Sequence, residues 1–177
     1  MGIPKLNLPT SLTLSRIVII PFFIIIMPGH PILATIIFLL AAVTDFLDGY
    51  LARLYGQVTT FGTILDPIAD KFLVISALIL LVDIGTLSAW IAIIIIVREF
   101  FVTALRVVAL ARNIVIKAEI GGKIKTATQI TAIIFLMLKD SLAFVDLYDT
   151  GMLLIIISML LAVISAVQYT INFWREV

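Results

Sequence analysis

Residues 36–82 read IIFLLAAVTDFLDGYLARLYGQVTTFGTILDPIADKFLVISALILLV, two apolar runs that close on an acidic centre. Inside this stretch, Asp45-x-x-Asp48-Gly49-x-x-Ala52-Arg53 is followed, after eight residues, by Gly62-x-x-x-Asp66-x-x-x-Asp70. The flanks, Ile36 to Val43 and Phe72 to Val82, are of membrane grade. A carboxylate near a hydrocarbon core costs up to ~3 kcal/mol on insertion scales, so an ionisable residue there is a functional hypothesis by default. Four of them within 26 positions must hold something cationic, and a pair of metal ions fits best.

Composition agrees with a membrane setting. Of the 177 residues 63% are apolar and only 13% charged, with mean hydropathy +1.26. A soluble domain is nearer half apolar and a quarter charged. The chain is expected to be an integral membrane protein with one domain over residues 1–177. A net charge of +1 supports no argument from bulk electrostatics, and nucleic acid is not an expected partner. With no cysteine there is no disulfide and no thiolate metal site. The first apolar stretch, Leu12 to Met27, contains Arg16 and is followed by no small-residue cleavage site, so it reads as a retained helix.

A membrane span needs ~20 mostly apolar residues. Six candidates follow, at about 12–28, 31–53, 62–82, 86–110, 122–138 and 150–173. Pro28-Gly29-His30-Pro31 is a tight link, and Asp83-Ile84-Gly85 closes the third span. Lipid offers no backbone partners and no barrel-type alternation is present, so the fold class is all-α. Cations orient it. Arg53 follows span two, and Arg112, Lys117, Lys123 and Lys125 lie between spans four and five, whereas the links at 28–31 and 83–85 carry none. Lys5 and Arg175 flank the ends. The reading is a polytopic protein of six transmembrane helices with both termini cytoplasmic. Trp90, Trp174 and Tyr169 fit interfacial anchors.

In that arrangement Asp45, Asp48 and Arg53 occupy the cytoplasmic end of span two. Gly62, Asp66 and Asp70 occupy the cytoplasmic start of span three. Residues three and four apart share a helix face, and antiparallel neighbours can bring the two acidic edges together. Gly49, Ala52 and Gly62 on those edges allow close approach. Carboxylates with no histidine or cysteine beside them suit Mg²⁺ or Mn²⁺ rather than zinc. Two such ions ~4 Å apart clamp a phosphoryl centre during displacement, and Arg53 can neutralise phosphate oxygens. The plain alternative is a set of solvated helix ends paired with Arg53 and Lys71. Eight specified residues at fixed offsets argue against it.

This string resembles the signature of the CDP-alcohol phosphotransferase family at every specified position. The resemblance implies a polytopic, usually six-helix and often homodimeric enzyme that displaces CMP from a CDP-linked lipid or alcohol. Carried over by motif position, Asp45, Asp48, Asp66 and Asp70 would ligate two divalent cations, with Asp45 and Asp66 touching both. Asp70 would also be the general base for the attacking hydroxyl. Gly49 and Arg53 would contact the CDP moiety of CDP-diacylglycerol, joined by Thr59 and, from the opening segment, by Thr13. Beyond the motif, Asn7-Leu8-Pro9-Thr10-Ser11-Leu12-Thr13-Leu14-Ser15-Arg16, Arg98-Glu99-Phe100, Ala104-Leu105-Arg106 and Gly122-Lys123-Ile124-Lys125-Thr126 are similar to the branch that makes phosphatidylglycerophosphate. Position 10 departs from it, with threonine where asparagine is usual. The acceptor implied is sn-glycerol 3-phosphate; sister branches use inositol phosphate or phosphatidylglycerol.

The cations of the second half point the same way. Arg98 lies well inside span four, and Arg106 lies two turns on. Lys123 and Lys125 begin span five after Gly121-Gly122, where helix N-terminal amides also attract anions. Arg98, Arg106, Lys123 and Lys125 are therefore candidates for the acceptor's phosphate. The alternative is that Arg98 pairs with a buried carboxylate and the lysines only obey the positive-inside rule. Glu99 is not automatically that carboxylate, since adjacent helix residues do not face each other. His30 reads as a loop residue. A cation-transport path would spread carboxylates across membrane depth, whereas these four crowd one interface beside Arg53. The expected location is the inner membrane, in contact with lipid and with the active site facing the cytoplasm.

Overall fold

A computed structural model describes residues 8–55, 60–112, 120–139 and 146–176, with side chains described over 17–44, 71–109, 112, 124–139 and 146–175. Among the described residues all regular structure is helical, in six helices: α1 Leu8–Ile26, α2 Pro31–Tyr55, α3 Thr60–Asp83, α4 Ala89–Ala111, α5 Ile120–Met137 and α6 Leu147–Glu176. Each expected span has a helix, displaced by a few residues at its ends. Among the described residues, Leu147–Arg175 is long and apolar enough to cross a membrane on length and composition, while Ile17–Ile26, Pro31–Thr44 and Ile124–Met137 are shorter apolar stretches. Large apolar side chains such as Ile25, Leu40, Val97 and Val167 are exposed. Water would penalise so much exposed apolar surface, and lipid does not.

The helices fall into two compact units, Met1–Leu80 and Leu81–Val177. In the first, α1 packs on α2. Ile20, Phe23 and Met27 from α1, and Ala34, Phe38 and Ala41 from α2, are buried at helical spacing. The Phe23 and Phe38 rings meet with centroids 5.9 Å apart, tilted by 38°. His30 is the hinge of this hairpin. Its amide donates to the Ile26 carbonyl at 2.9 Å, and its own carbonyl accepts the Ala34 amide at 3.0 Å. Pro31 then opens α2, where a missing N–H costs nothing.

The second unit begins with the end of α3. Gly85 has φ +70°. Its amide reaches the Val82 carbonyl at 3.0 Å, and the Thr86 amide reaches the Leu81 carbonyl at 2.9 Å. This is a Schellman closure, which needs a residue that tolerates the left-handed region. At the far link, Asp146 precedes α6 and its Oδ1 accepts the Asp149 amide at 3.4 Å. The acidic character of that link thus partly serves the helix start.

α6 is the central element of this unit, packing on both α5 and α4. Its buried stripe runs Leu147, Gly151, Ile155, Ser158, Ala162, Ser165, Tyr169 and Phe173, steps of three and four that keep one face inward. At Gly151 α5 comes close. A Cβ there would lie 3.0 Å from Leu136 Cγ and 3.1 Å from Phe135 Cβ. Ser158 is fully buried and satisfies its hydroxyl on the Ile155 carbonyl at 2.9 Å.

Candidate active site

The aspartate motif lies on two helices. Asp45, Asp48, Gly49 and Arg53 fall within α2, and Asp66 and Asp70 within α3. The steps of three from Asp45 to Asp48 and of four from Asp66 to Asp70 keep each pair on one helix edge. Their side chains lie outside the described residues, as do those of Thr13 in α1 and Lys123 in α5; Thr59 lies outside entirely. Among the described side chains, which do not include the four aspartates, no group of three metal-ligating residues occurs. The donor set itself fits a divalent ion. It offers carboxylate oxygen alone, on regular helix, without nitrogen or sulfur competitors.

The other candidates are described in full. Arg98 lies near the middle of α4, its side chain 10% exposed, and it forms part of the wall of a 420 Å³ groove lined, besides Thr170, by apolar side chains such as Val97, Phe101, Val163 and Val167. A guanidinium beside such a groove needs partners, and it has three. Nε donates to the Ala162 carbonyl at 2.7 Å. Nη2 donates to Ser165 Oγ at 3.0 Å. Nη1 donates to Glu99 Oε1 at 3.0 Å.

Glu99 is therefore Arg98's partner after all. Adjacent residues leave a helix in different directions, but both side chains are long enough to curl back toward each other. The same Glu99 Oε1 also accepts from Lys125 Nζ of α5, whose side chain is 5% exposed. One carboxylate oxygen thus joins two cations from two helices. Arg106 makes a separate tie. Its Nη2 donates to Tyr169 Oη at 2.8 Å, and its Cζ stands 5.1 Å from the Tyr169 ring centroid, a combined hydrogen bond and cation–π contact.

These pairs run in one sense, Arg98 with Ala162 and Ser165, Arg106 with Tyr169, so α4 and α6 are parallel. Tyr169 is only 3% exposed, so it is not an interfacial anchor but an internal acceptor. Trp90 and Trp174 are 75% and 71% exposed. Ser165 and Tyr169 are the residues that sequence reasoning missed. Their signal was present: Ser158, Ser165 and Tyr169 are polar positions on one face of an otherwise apolar helix.

The sequence matches the CDP-alcohol phosphatidyltransferase family over residues 6–168, which takes in both halves of the aspartate motif and the Arg98, Arg106 and Lys125 positions. The chain belongs to this family. Among family members, a protein of Wigglesworthia glossinidia brevipalpis is 38% identical over 97% of each chain. One from Bacillus subtilis is 44% identical over 76% of this chain and 78% of its own, and one from Escherichia coli K12 is 36% identical over 93% of each. All three carry the name CDP-diacylglycerol–glycerol-3-phosphate 3-phosphatidyltransferase.

Proposed function

We propose that this family member transfers the phosphatidyl group of CDP-diacylglycerol to sn-glycerol 3-phosphate, giving phosphatidylglycerophosphate and CMP. The observation that carries the reading is an intact aspartate motif in a chain whose relatives, similar along nearly their whole length, bear that enzyme's name. The setting is an inner membrane crossed six times, with both termini and the active site on the cytoplasmic side. The cation-bearing links support that orientation. A homodimer is the proposed assembly.

Asp45, Asp48, Asp66 and Asp70 are proposed to hold two divalent cations, Mg²⁺ or Mn²⁺, with Asp45 and Asp66 shared between them. When bound, the ions supply charge neutralisation at the pyrophosphate and at the departing phosphate. Gly49, Arg53, Thr13 and Thr59 hold the CDP moiety, the glycine by permitting close approach and Arg53 by its fixed fork of donors. Asp70 accepts the proton of the acceptor's free hydroxyl. A bond forms between that oxygen and the lipid-bearing phosphorus, while the bond from that phosphorus to the CMP oxygen breaks. The electron pair leaves with CMP. With no cysteine in the chain, no thiolate intermediate is available, and direct displacement suffices.

Arg98, Arg106, Lys123 and Lys125 are proposed to receive the acceptor's phosphate. An uncharged acceptor would not need them. The test is product identity. Purified protein given CDP-diacylglycerol and isotopically labelled sn-glycerol 3-phosphate should move the label into a lipid-extractable phosphate ester. Label that stays in the aqueous phase, while a competing alcohol is lipidated, would contradict the reading.

A further inference from the structure

The convergence of Arg98 and Lys125 on one oxygen of Glu99 is not explained by the acceptor-binding proposal. A carboxylate beside a phosphate site repels the ligand that the cations attract. Burying it among apolar helices is also unfavourable unless it is paired. Its presence calls for a role that outweighs both effects.

The contacts supply an order of constraint. α6 fixes Arg98 at two points, the Ala162 carbonyl and Ser165 Oγ. Three of the guanidinium's five N–H directions are then committed within the protein, the third to Glu99. A planar fork held at three points does not swing. Glu99, held by that fork, in turn holds the Lys125 ammonium of α5. Lysine is a flexible stem carrying a point charge, and its site is preorganised only if something fixes that charge before the ligand arrives. The net charge of Arg98, Glu99 and Lys125 together is +1, so the trio still attracts an anion.

We propose that Glu99 is a positioning residue for the acceptor phosphate: anchored through Arg98 to α6, it holds the Lys125 ammonium in the place where it meets that phosphate. The inference rests on the acceptor-binding reading above. Glu99 itself touches no reacting atom.

The experiment is steady-state CMP release by full-length protein in lipid nanodiscs, with sn-glycerol 3-phosphate varied at saturating CDP-diacylglycerol, and the converse. Glu99→Gln should raise the acceptor KM about tenfold, while kcat and the CDP-diacylglycerol KM move less than about twofold. Glu99→Asp keeps the charge on a shorter stem and should recover part of the loss. Lys125→Gln should raise the acceptor KM at least as far, and the double variant Glu99→Gln/Lys125→Gln should be no worse than Lys125→Gln alone, since both act through one contact. A merely structural Glu99 would instead lower the melting temperature and kcat and add to Lys125→Gln. That result overturns the proposal, as does a fall in the acceptor KM of Glu99→Gln, which would mark simple repulsion. Should Glu99→Gln not fold, Glu99→Asp carries the test: a wild-type acceptor KM in that folded variant also overturns it. If Lys125→Gln leaves the acceptor KM unchanged, the acceptor-binding reading fails and the inference with it. If Lys125→Gln raises that KM and Glu99→Gln does not, the inference alone fails.

Discussion

The acidic motif of α2 and α3 and the cationic cluster of α4 to α6 treat charge in opposite ways. Residues 45–70 carry four aspartates and one arginine, a balance of −3 with little inside the motif to offset it. Arg98, Glu99, Arg106 and Lys125 balance to +2, yet every one of them has an internal contact: Arg98 with α6, Lys125 with Glu99, Arg106 with Tyr169. A surplus of carboxylates in apolar sequence calls for cations to balance it. Compensated charge is already held in place and can be tuned. Substitutions in the motif should therefore abolish function, and substitutions in the cluster should grade it.

The largest effect tests the first half of that contrast. Asp45→Asn and Asp66→Asn should each remove CMP release to the detection limit and weaken divalent-ion binding, because each is proposed to serve both ions. Excess chelator should do the same to the wild type. Full turnover under either condition would break the contrast at its stronger end.

Asp70→Asn comes next. As the proposed base it acts on the incoming hydroxyl, so turnover should fall by about 10²–10⁴ while CDP-diacylglycerol still raises the melting temperature. Equal loss of turnover and of that thermal shift would make Asp70 an ordinary ligand.

The cluster should respond more gently. A charge-assisted hydrogen bond is worth ~1.5–3 kcal/mol, so Lys123→Gln and Arg98→Gln should each raise the acceptor KM about ten- to a hundredfold with the CDP-diacylglycerol KM little changed. Arg98→Gln should also lower thermal stability, since Ser165 and the Ala162 carbonyl lose their donor; a variant that lost stability alone would recast Arg98 as a tie between α4 and α6. The smallest effect is expected away from both regions. Gly151 lies fourteen residues before Ser165, against Leu136 and Phe135. Gly151→Val should destabilise by about 1–3 kcal/mol through overpacking, read as a lower melting temperature with both KM values unchanged.

The helices were legible because lipid-facing sequence leaves few choices. Apolar runs broken by Pro28-Gly29-His30-Pro31 and by Gly85 become helices and links, and Gly85 takes up the left-handed conformation that its place after Asp83-Ile84 requires. The aspartates were legible as a set because helical spacing converts four scattered letters into two edges. What stayed hidden depends on side-chain reach and on which face meets which. Nothing in one sequence says that Arg98 would bend back to its neighbour Glu99, or that Tyr169 would turn inward to meet Arg106 rather than outward to the interface.

The central claim is that the acceptor is sn-glycerol 3-phosphate. Release of CMP from CDP-diacylglycerol by the purified protein, compared across sn-glycerol 3-phosphate, inositol phosphate, serine and phosphatidylglycerol with a divalent cation present, tests it most directly. The account predicts rapid release with sn-glycerol 3-phosphate and near-background release with the other three. Faster release with any of those three, or none with sn-glycerol 3-phosphate, would contradict it.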